Sequence, residues 1–170
     1  MKSSSLPLRE HDEKNKEITR AIFSAIGKFK KDAIVIVVAN PVDVITFLAQ
    51  KITGLPAAQV FGTGTALDTA RLKTNLANEL SVSAKSVSGY VLGEHGDSEF
   101  VAWSSVHVGG TPISQIKKIN KTKQKQIETR VRKEAYEIIK RKGATFFGIA
   151  TATAEIVEAI VHNQHAILPV

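Results

Sequence analysis

Cysteine is absent from this chain of 170 residues. Its absence excludes a disulfide framework, a thiolate metal site and a cysteine nucleophile. Long apolar runs are missing too, since the longest, residues 33–39, is far short of the roughly 20 residues that cross a bilayer. Residues 1–10 lack the apolar segment of a secretory signal. These absences predict a soluble cytoplasmic protein with no membrane partner, and no residue is assigned to a metal.

Acidic residues are fewer than basic ones, 16 against 23, which gives a formal net charge of +7. The excess lies in residues 117–142, which hold eleven Lys or Arg and three Glu, so this segment carries +8 and the rest of the chain −1. Within the segment Ile127, Val131 and Ala135 recur at helical spacing. We therefore expect the charges on the outer face of an amphipathic helix. A site for nucleic acid or another polyanion is the weakest alternative.

The apolar pattern alternates between strand and helix. The β-branched run 34–38 predicts a strand buried on both faces of a parallel sheet. Asn40, as the cap, and Pro41, at the first helical position, begin the helix that follows. The remaining pattern predicts helices over 12–30, 66–80, 117–142 and 146–162, and strands over 86–92, over 100–108 and from 166 on. This order predicts an α/β or mixed α+β fold.

Five polar side chains lie where an α/β sheet places its ligands or near the chain start. Asn40 follows the buried strand, and Asp68 and Arg71 lie three apart on one helix face. His95 lies in a glycine-rich loop after a strand, and Arg9 lies near the N-terminus. Each has an ordinary alternative: a helix cap, a surface ion pair or an incidental loop residue. Their meaning depends on the four segments around them.

Those segments are NPVDVIT, GTGTALDTAR, SVSGYVLGEHGDSEFVAWS and RKGATFFGIATA, which begin at residues 40, 62, 86 and 141. They resemble the L-lactate/malate dehydrogenase family, in its L-2-hydroxy-acid branch of the lactate and hydroxyisocaproate type. The resemblance implies that residues 1–40 are the second half of a Rossmann-type NAD-binding domain without its glycine-rich first half. It implies that residues 41–170 are the family's catalytic domain, truncated at its C-terminus.

The resemblance also implies catalytic roles. His95 matches the family's proton acceptor and donor, and Asp68 matches the carboxylate that orients this histidine and raises its pKa. Arg71 matches the guanidinium that grips the substrate carboxylate at two points. Arg9 matches, by its spacing of 31 residues before Asn40, an arginine of the family's mobile loop that polarises the substrate carbonyl.

Further residues are assigned to binding by the same resemblance. Asn40 matches an amide that contacts substrate and cofactor, and Thr145 matches a residue of the substrate pocket. Val38 and Ala39 lie where the family's backbone meets the nicotinamide ribose of NAD.

The implied activity is hydride transfer between NAD and a small L-2-hydroxy acid, by a homo-oligomer of two or four subunits. Malate dehydrogenase is the alternative with another substrate pocket. Because family subunits are about twice this length, we expect an incomplete chain or fragment. A third possibility is a non-catalytic chain that associates with full-length subunits.

Overall fold

A computed structural model describes residues 8–170, with side chains from residue 13 on. Its helices are α1 (Leu8–Ile26), α2 (Val42–Thr53), α3 (Ala66–Leu80), α4 (Lys121–Lys142) and α5 (Phe147–Val161). Its strands are β1 (Val35–Val37), β2 (Val60–Gly62), β3 (Val87–Ser88), β4 (Val91–Leu92), β5 (Phe100–Val101), β6 (His107–Val108) and β7 (Thr111–Pro112). None of the described helices has the length and apolar character of a bilayer span.

The described residues form two compact units, which divide between Gly62 and Thr63. The domain limits implied by the resemblance, 1–40 and 41–170, stay a prediction.

The first unit contains a two-stranded parallel sheet. Of the run 34–38, only Val35–Val37 form a strand, β1, and only Val37 in it is buried, while Ile34 and Val38 are exposed. The prediction of a strand buried on both faces is therefore wrong, because β1 has one neighbouring strand among the described residues. Strand β1 pairs with β2 so that Val35 is opposite Val60 and Val37 is opposite Gly62. Apolar side chains from α1, α2 and the two strands share one core, made by Phe23, Val37, Val42, Ile45, Ala49 and Val60. This packing holds the carboxyl end of β1 in place, directly before residue 38.

Helix α2 begins one residue later than predicted. Its cap is Pro41, whose carbonyl oxygen accepts a hydrogen bond from the Ile45 N–H at 3.0 Å, so the prediction of Asn40 as the cap is wrong. The helix ends at Gly54, whose positive φ of 66° suits a residue without Cβ. Asn40 is thereby placed between β1 and the helix, with an exposed side chain.

The second unit has α3, α4 and α5 with short antiparallel strands. Strand β3 pairs with β6, β6 with β7, and β4 with β5. The two long strands predicted over 86–92 and 100–108 are therefore wrong, because Gly89 and a 3₁₀ turn at Trp103–Ser105 interrupt them. No strand forms over residues 166–170 of the described chain. The core is built around Leu72, Leu76, Val91, Val106, Ile119, Ile127 and Val131.

The basic segment forms α4, which begins at Lys121, four residues after the predicted start at 117. Ile127 and Val131 are buried on one side of the helix, and most of its lysines and arginines are exposed. Asn120 caps the start by accepting a hydrogen bond from the Lys123 N–H at 2.9 Å. The helix lies against α3, so its buried face helps to enclose the polar residues of α3.

Candidate active site

Asp68 and Arg71 form a buried ion pair on α3. Arg71 Nη1 donates a hydrogen bond to Asp68 Oδ1 at 3.0 Å, and the two side chains are only 7% and 2% exposed. The ordinary alternative of a surface ion pair is therefore wrong. A buried pair requires further partners to offset the loss of hydration, and both residues have them.

The partner of Asp68 is His95, which lies in the loop between β4 and β5. His95 Nδ1 is 2.5 Å from Asp68 Oδ2, and the histidine side chain is 25% exposed. Because Asp68 accepts at both oxygens, one carboxylate holds an arginine and a histidine together. The structure thus brings together three residues that are up to 27 positions apart in the sequence.

This contact shifts the ionisation of both partners. Burial raises the pKa of Asp68, but the hydrogen bond to His95 and the charges of His95 and Arg71 outweigh it, so the pKa lies below its ordinary 3.8. The hydrogen bond to Asp68 raises the pKa of His95 above 6.5, against the opposing effect of burial. The negative charges of Asp68 and Glu99 raise it further, and Arg71 lowers it.

The further partners of Arg71 come from α3 and α4, and they were not predicted from the sequence. Arg71 Nε lies 3.7 Å from Glu134 Oε1. Asn75 Nδ2 donates to the Arg71 carbonyl at 2.9 Å and to Glu134 Oε2 at 3.4 Å. Arg130 Nη1 donates to Asn75 Oδ1 at 3.3 Å. The sequence feature that could have indicated Glu134 is its position three residues after the buried Val131, which places both residues on one face of the helix.

A second buried carboxyl, Glu99, was also missed. Its side chain is 5% exposed, and Asp68, His95 and Glu99 each offer a polar atom within 4.8 Å of the other two. Burial, first, and then the Asp68 charge raise the pKa of Glu99 to about 7. The sequence feature that could have indicated Glu99 is an acidic residue directly before the apolar strand β5.

Two carboxyls and an imidazole at this spacing could offer ligand atoms to a metal ion. Both oxygens of Asp68, however, already accept hydrogen bonds from Arg71 and His95. A metal ion at this place would therefore have to compete with Arg71 and His95 for the Asp68 oxygens.

The other predicted residues belong to three further segments of the chain. Val38, Ala39 and Asn40 follow β1 and are exposed, at the carboxyl end of a parallel strand, where α/β sheets bind ligands. Thr145 lies between α4 and α5 and is partly exposed. The backbone of Arg9 is in α1, but its side chain lies outside the described residues. The roles of these five residues stay predictions.

The fold and the cluster define a class of protein: an α/β protein in which a histidine contacts a buried carboxylate that is also paired with an arginine. The chain belongs to the lactate/malate dehydrogenase family. Residues 65–170 match the family's alpha/beta C-terminal domain, and residues 11–62 match its NAD binding domain. The predicted family and fold class are confirmed, and the NAD assignment is confirmed at the level of the family.

Individual relatives are named as lactate dehydrogenases. The chain is 46% identical over 159 residues to L-lactate dehydrogenase 1 of Listeria innocua, covering 92% of this chain and 50% of that protein. It is 44% identical over 160 residues to L-lactate dehydrogenase 2 of Enterococcus faecalis. The ligand-bound crystal structure of the minor L-lactate dehydrogenase from Enterococcus mundtii is 42% identical, with a TM-score of 0.92 over 99% of this chain and 55% of that one. The chain thus spans about half the length of the curated relatives that it matches.

Proposed function

We propose that this protein transfers a hydride between NAD and an L-2-hydroxy acid of the lactate type, with His95 as the acid and base. The observation that carries the proposal is the joint placement of Asp68, His95 and Arg71, with contacts of 2.5 Å and 3.0 Å to the same carboxylate. This group combines a proton donor with a cation that suits a carboxylate substrate.

His95 supplies the proton chemistry. Its Nδ1–H donates to Asp68, so proton exchange with the substrate oxygen falls to Nε2. The raised pKa keeps the imidazolium populated near neutral pH, which suits donation of a proton to a 2-oxo acid as it is reduced. In the opposite direction the neutral imidazole takes the hydroxyl proton.

Arg71 orients the substrate. A guanidinium has five N–H donors in one plane, and Asp68 and Glu134 engage one nitrogen each. The remaining N–H groups suit a two-point contact with the substrate carboxylate. Because Asp68, Asn75 and Glu134 hold the arginine, this contact also orients the carbon bearing the reacting oxygen relative to His95.

The cofactor role is proposed for the exposed end of β1. Val38 and Ala39 would face the nicotinamide ribose, and the Asn40 amide would contact both cofactor and substrate, as the resemblance implies. When bound, NAD accepts or supplies the hydride. Thr145 would line the substrate pocket, and Arg9 would polarise the substrate carbonyl.

The names of the relatives support a proposal for the substrate class. The names of the relatives described above favour lactate over malate as the substrate class. We also propose that the protein acts as a homo-oligomer. The cytoplasmic location stays a prediction.

An NADH-oxidation assay tests the activity, with pyruvate, 2-oxoisocaproate and oxaloacetate offered separately to the purified chain. We expect turnover to be fastest with pyruvate or 2-oxoisocaproate, and His95→Ala to lower kcat by about 10²–10⁴-fold. His162→Ala, at an exposed position after α5, is the matched control and should keep the activity.

Preference for oxaloacetate would instead indicate a malate dehydrogenase. Absence of turnover with all three substrates would contradict activity of this chain. The non-catalytic alternative then predicts a stable mixed oligomer with full-length lactate dehydrogenase subunits.

A further inference from the structure

Glu99 brings a second carboxyl to the Asp68–His95 pair. Glu99 precedes β5 and is 5% exposed, and its carboxyl lies within 4.8 Å of the Asp68 carboxylate and the His95 imidazole. The roles proposed above for Asp68, Arg71 and His95 leave this carboxyl without one. A buried glutamate costs stability unless its carboxyl is paired or neutral. Whether Glu99 carries a proton therefore affects the site.

Charged groups face Glu99 from each neighbouring element. Helix α3 contributes Asp68, with Arg71 beyond it, and the loop before Glu99 contributes His95. Helix α4 contributes Arg132, whose Nη2 donates to the Glu99 carbonyl at 2.7 Å. Glu128, also on α4, lines a small cavity with Glu99 and accepts a hydrogen bond from Trp103 Nε1 at 2.6 Å.

The two neighbouring carboxyls are not equivalent. Asp68 is contacted directly by Arg71 and His95, which favour its ionised form. Arg132 donates its hydrogen bond to the backbone of Glu99 rather than to its carboxyl. When two carboxyls share a site, one keeps a proton, and these contacts leave the proton on Glu99.

We propose that Glu99 is a positioning residue of this site: its protonated carboxyl donates a hydrogen bond to Asp68, and its ionisation is linked to that of His95. The proposal rests on the proposed function, because it concerns the same histidine. Neutral Glu99 holds Asp68 toward His95 without adding charge. Ionised Glu99 adds a negative charge that keeps the proton on His95, so the histidine remains an acid to higher pH.

An NMR titration tests this linkage on the whole chain, with ¹³C at histidine Cε1 and glutamate Cδ. The substitution is Glu99→Gln, which keeps the shape and a donor to Asp68 but cannot ionise. We expect the pKa of His95 to fall by about 0.5 unit or more, which is about threefold weaker proton binding. His95→Ala identifies the His95 signal.

Glu94→Gln is the matched control. Glu94 lies in the same loop, but its side chain is exposed and accepts a hydrogen bond from Ser98 at 2.7 Å. We expect its substitution to leave the His95 titration unchanged. The raised pKa of Glu99, to about 7, predicts that the Glu99 Cδ signal of the unsubstituted chain moves near pH 7.

The proposal is overturned if His95 titrates identically in the unsubstituted chain and in Glu99→Gln. Should Glu99→Gln fail to fold, the Cδ signal decides: titration near pH 7 supports the linkage, and titration near the ordinary 4.5 overturns it. Neither readout requires turnover. An inactive chain with linked titration would therefore contradict only the proposed function.

Discussion

Two opposing effects act on the Asp68 carboxyl, and the structure shows which one prevails. Burial favours the neutral acid, whereas His95 and Arg71 favour the carboxylate and leave the pKa below 3.8. A pKa lowered by folding adds stability above the unfolded value, and this stability is lost as the pH falls through the folded value. The raised pKa of His95 acts in the opposite direction: its stability is present below 6.5 and is lost as the pH rises through the folded value.

Substitution Asp68→Asn tests both effects. It leaves the charge of Arg71 buried without its main partner, so we expect the free energy of unfolding to fall by about 3–5 kcal/mol near neutral pH. The deficit should shrink below pH 3.8, and also as the pH rises through the pKa of His95. Urea unfolding over this pH range measures it. The control is Asp32→Asn, at an exposed position, which should lower the free energy of unfolding by less than about 0.5 kcal/mol. A deficit of Asp68→Asn that is equal at all pH values would contradict this explanation.

The residues of the site differ in how far the sequence could predict them. Asp68, Arg71 and His95 lie in short contiguous motifs, so a family resemblance could assign them. Glu99 is distinguished by its burial and Glu134 by its contact with Arg71, and both depend on how α4 packs beside α3 and β5. Only the folded chain brings these separate segments together, and a sequence read segment by segment shows two ordinary glutamates.

At the scale of elements, helices were predicted better than strands. The limits of α3 agree with the prediction residue for residue, because its apolar positions repeat within the segment itself. The strands over 86–92 and 100–108 failed because their interruption is a tertiary effect. At Gly89 the backbone adopts a φ of 144°, and an added Cβ would lie 2.7 Å from Val106 Cγ2. Gly89 therefore permits the close approach that separates β3 from β4.

Substitution Gly89→Ala follows from this geometry. The new Cβ would meet the buried Val106 in a backbone conformation that L-residues rarely adopt, so we expect a loss of about 1–3 kcal/mol. Urea unfolding measures the loss. Gly96→Ala is the control, since an added Cβ there meets nothing within 4 Å. Equal stability of the two variants would show that the contact with Val106 does not constrain the turn.

At the scale of the whole molecule, the net charge opposes association between copies of the chain, and the exposed apolar surface favours it. The net charge of +7 repels a second copy of the chain. Large apolar side chains are nevertheless exposed, with Phe147 at 74% and Val161 at 71% on α5, and Ile167 at 80% after it. The alternation of elements predicted the fold class, but this exposure could not be predicted, because an apolar helix gives no sign of which face is covered.

We expect the exposed apolar side chains to bring copies of the chain together once salt screens the repulsion between their positive charges. Sedimentation velocity should then show association of the chain that increases with protein concentration and with salt, since salt weakens the repulsion between like charges. Phe147→Ser removes apolar area, each Å² of which contributes about 25 cal/mol on burial, and should lower the associated fraction. Lys125→Ser, on the exposed face of α4, should not lower it.

A monomer at every concentration and salt level would show that this surface is too small to hold two chains together. Association that weakens with salt would instead identify the charges of α4 as its cause.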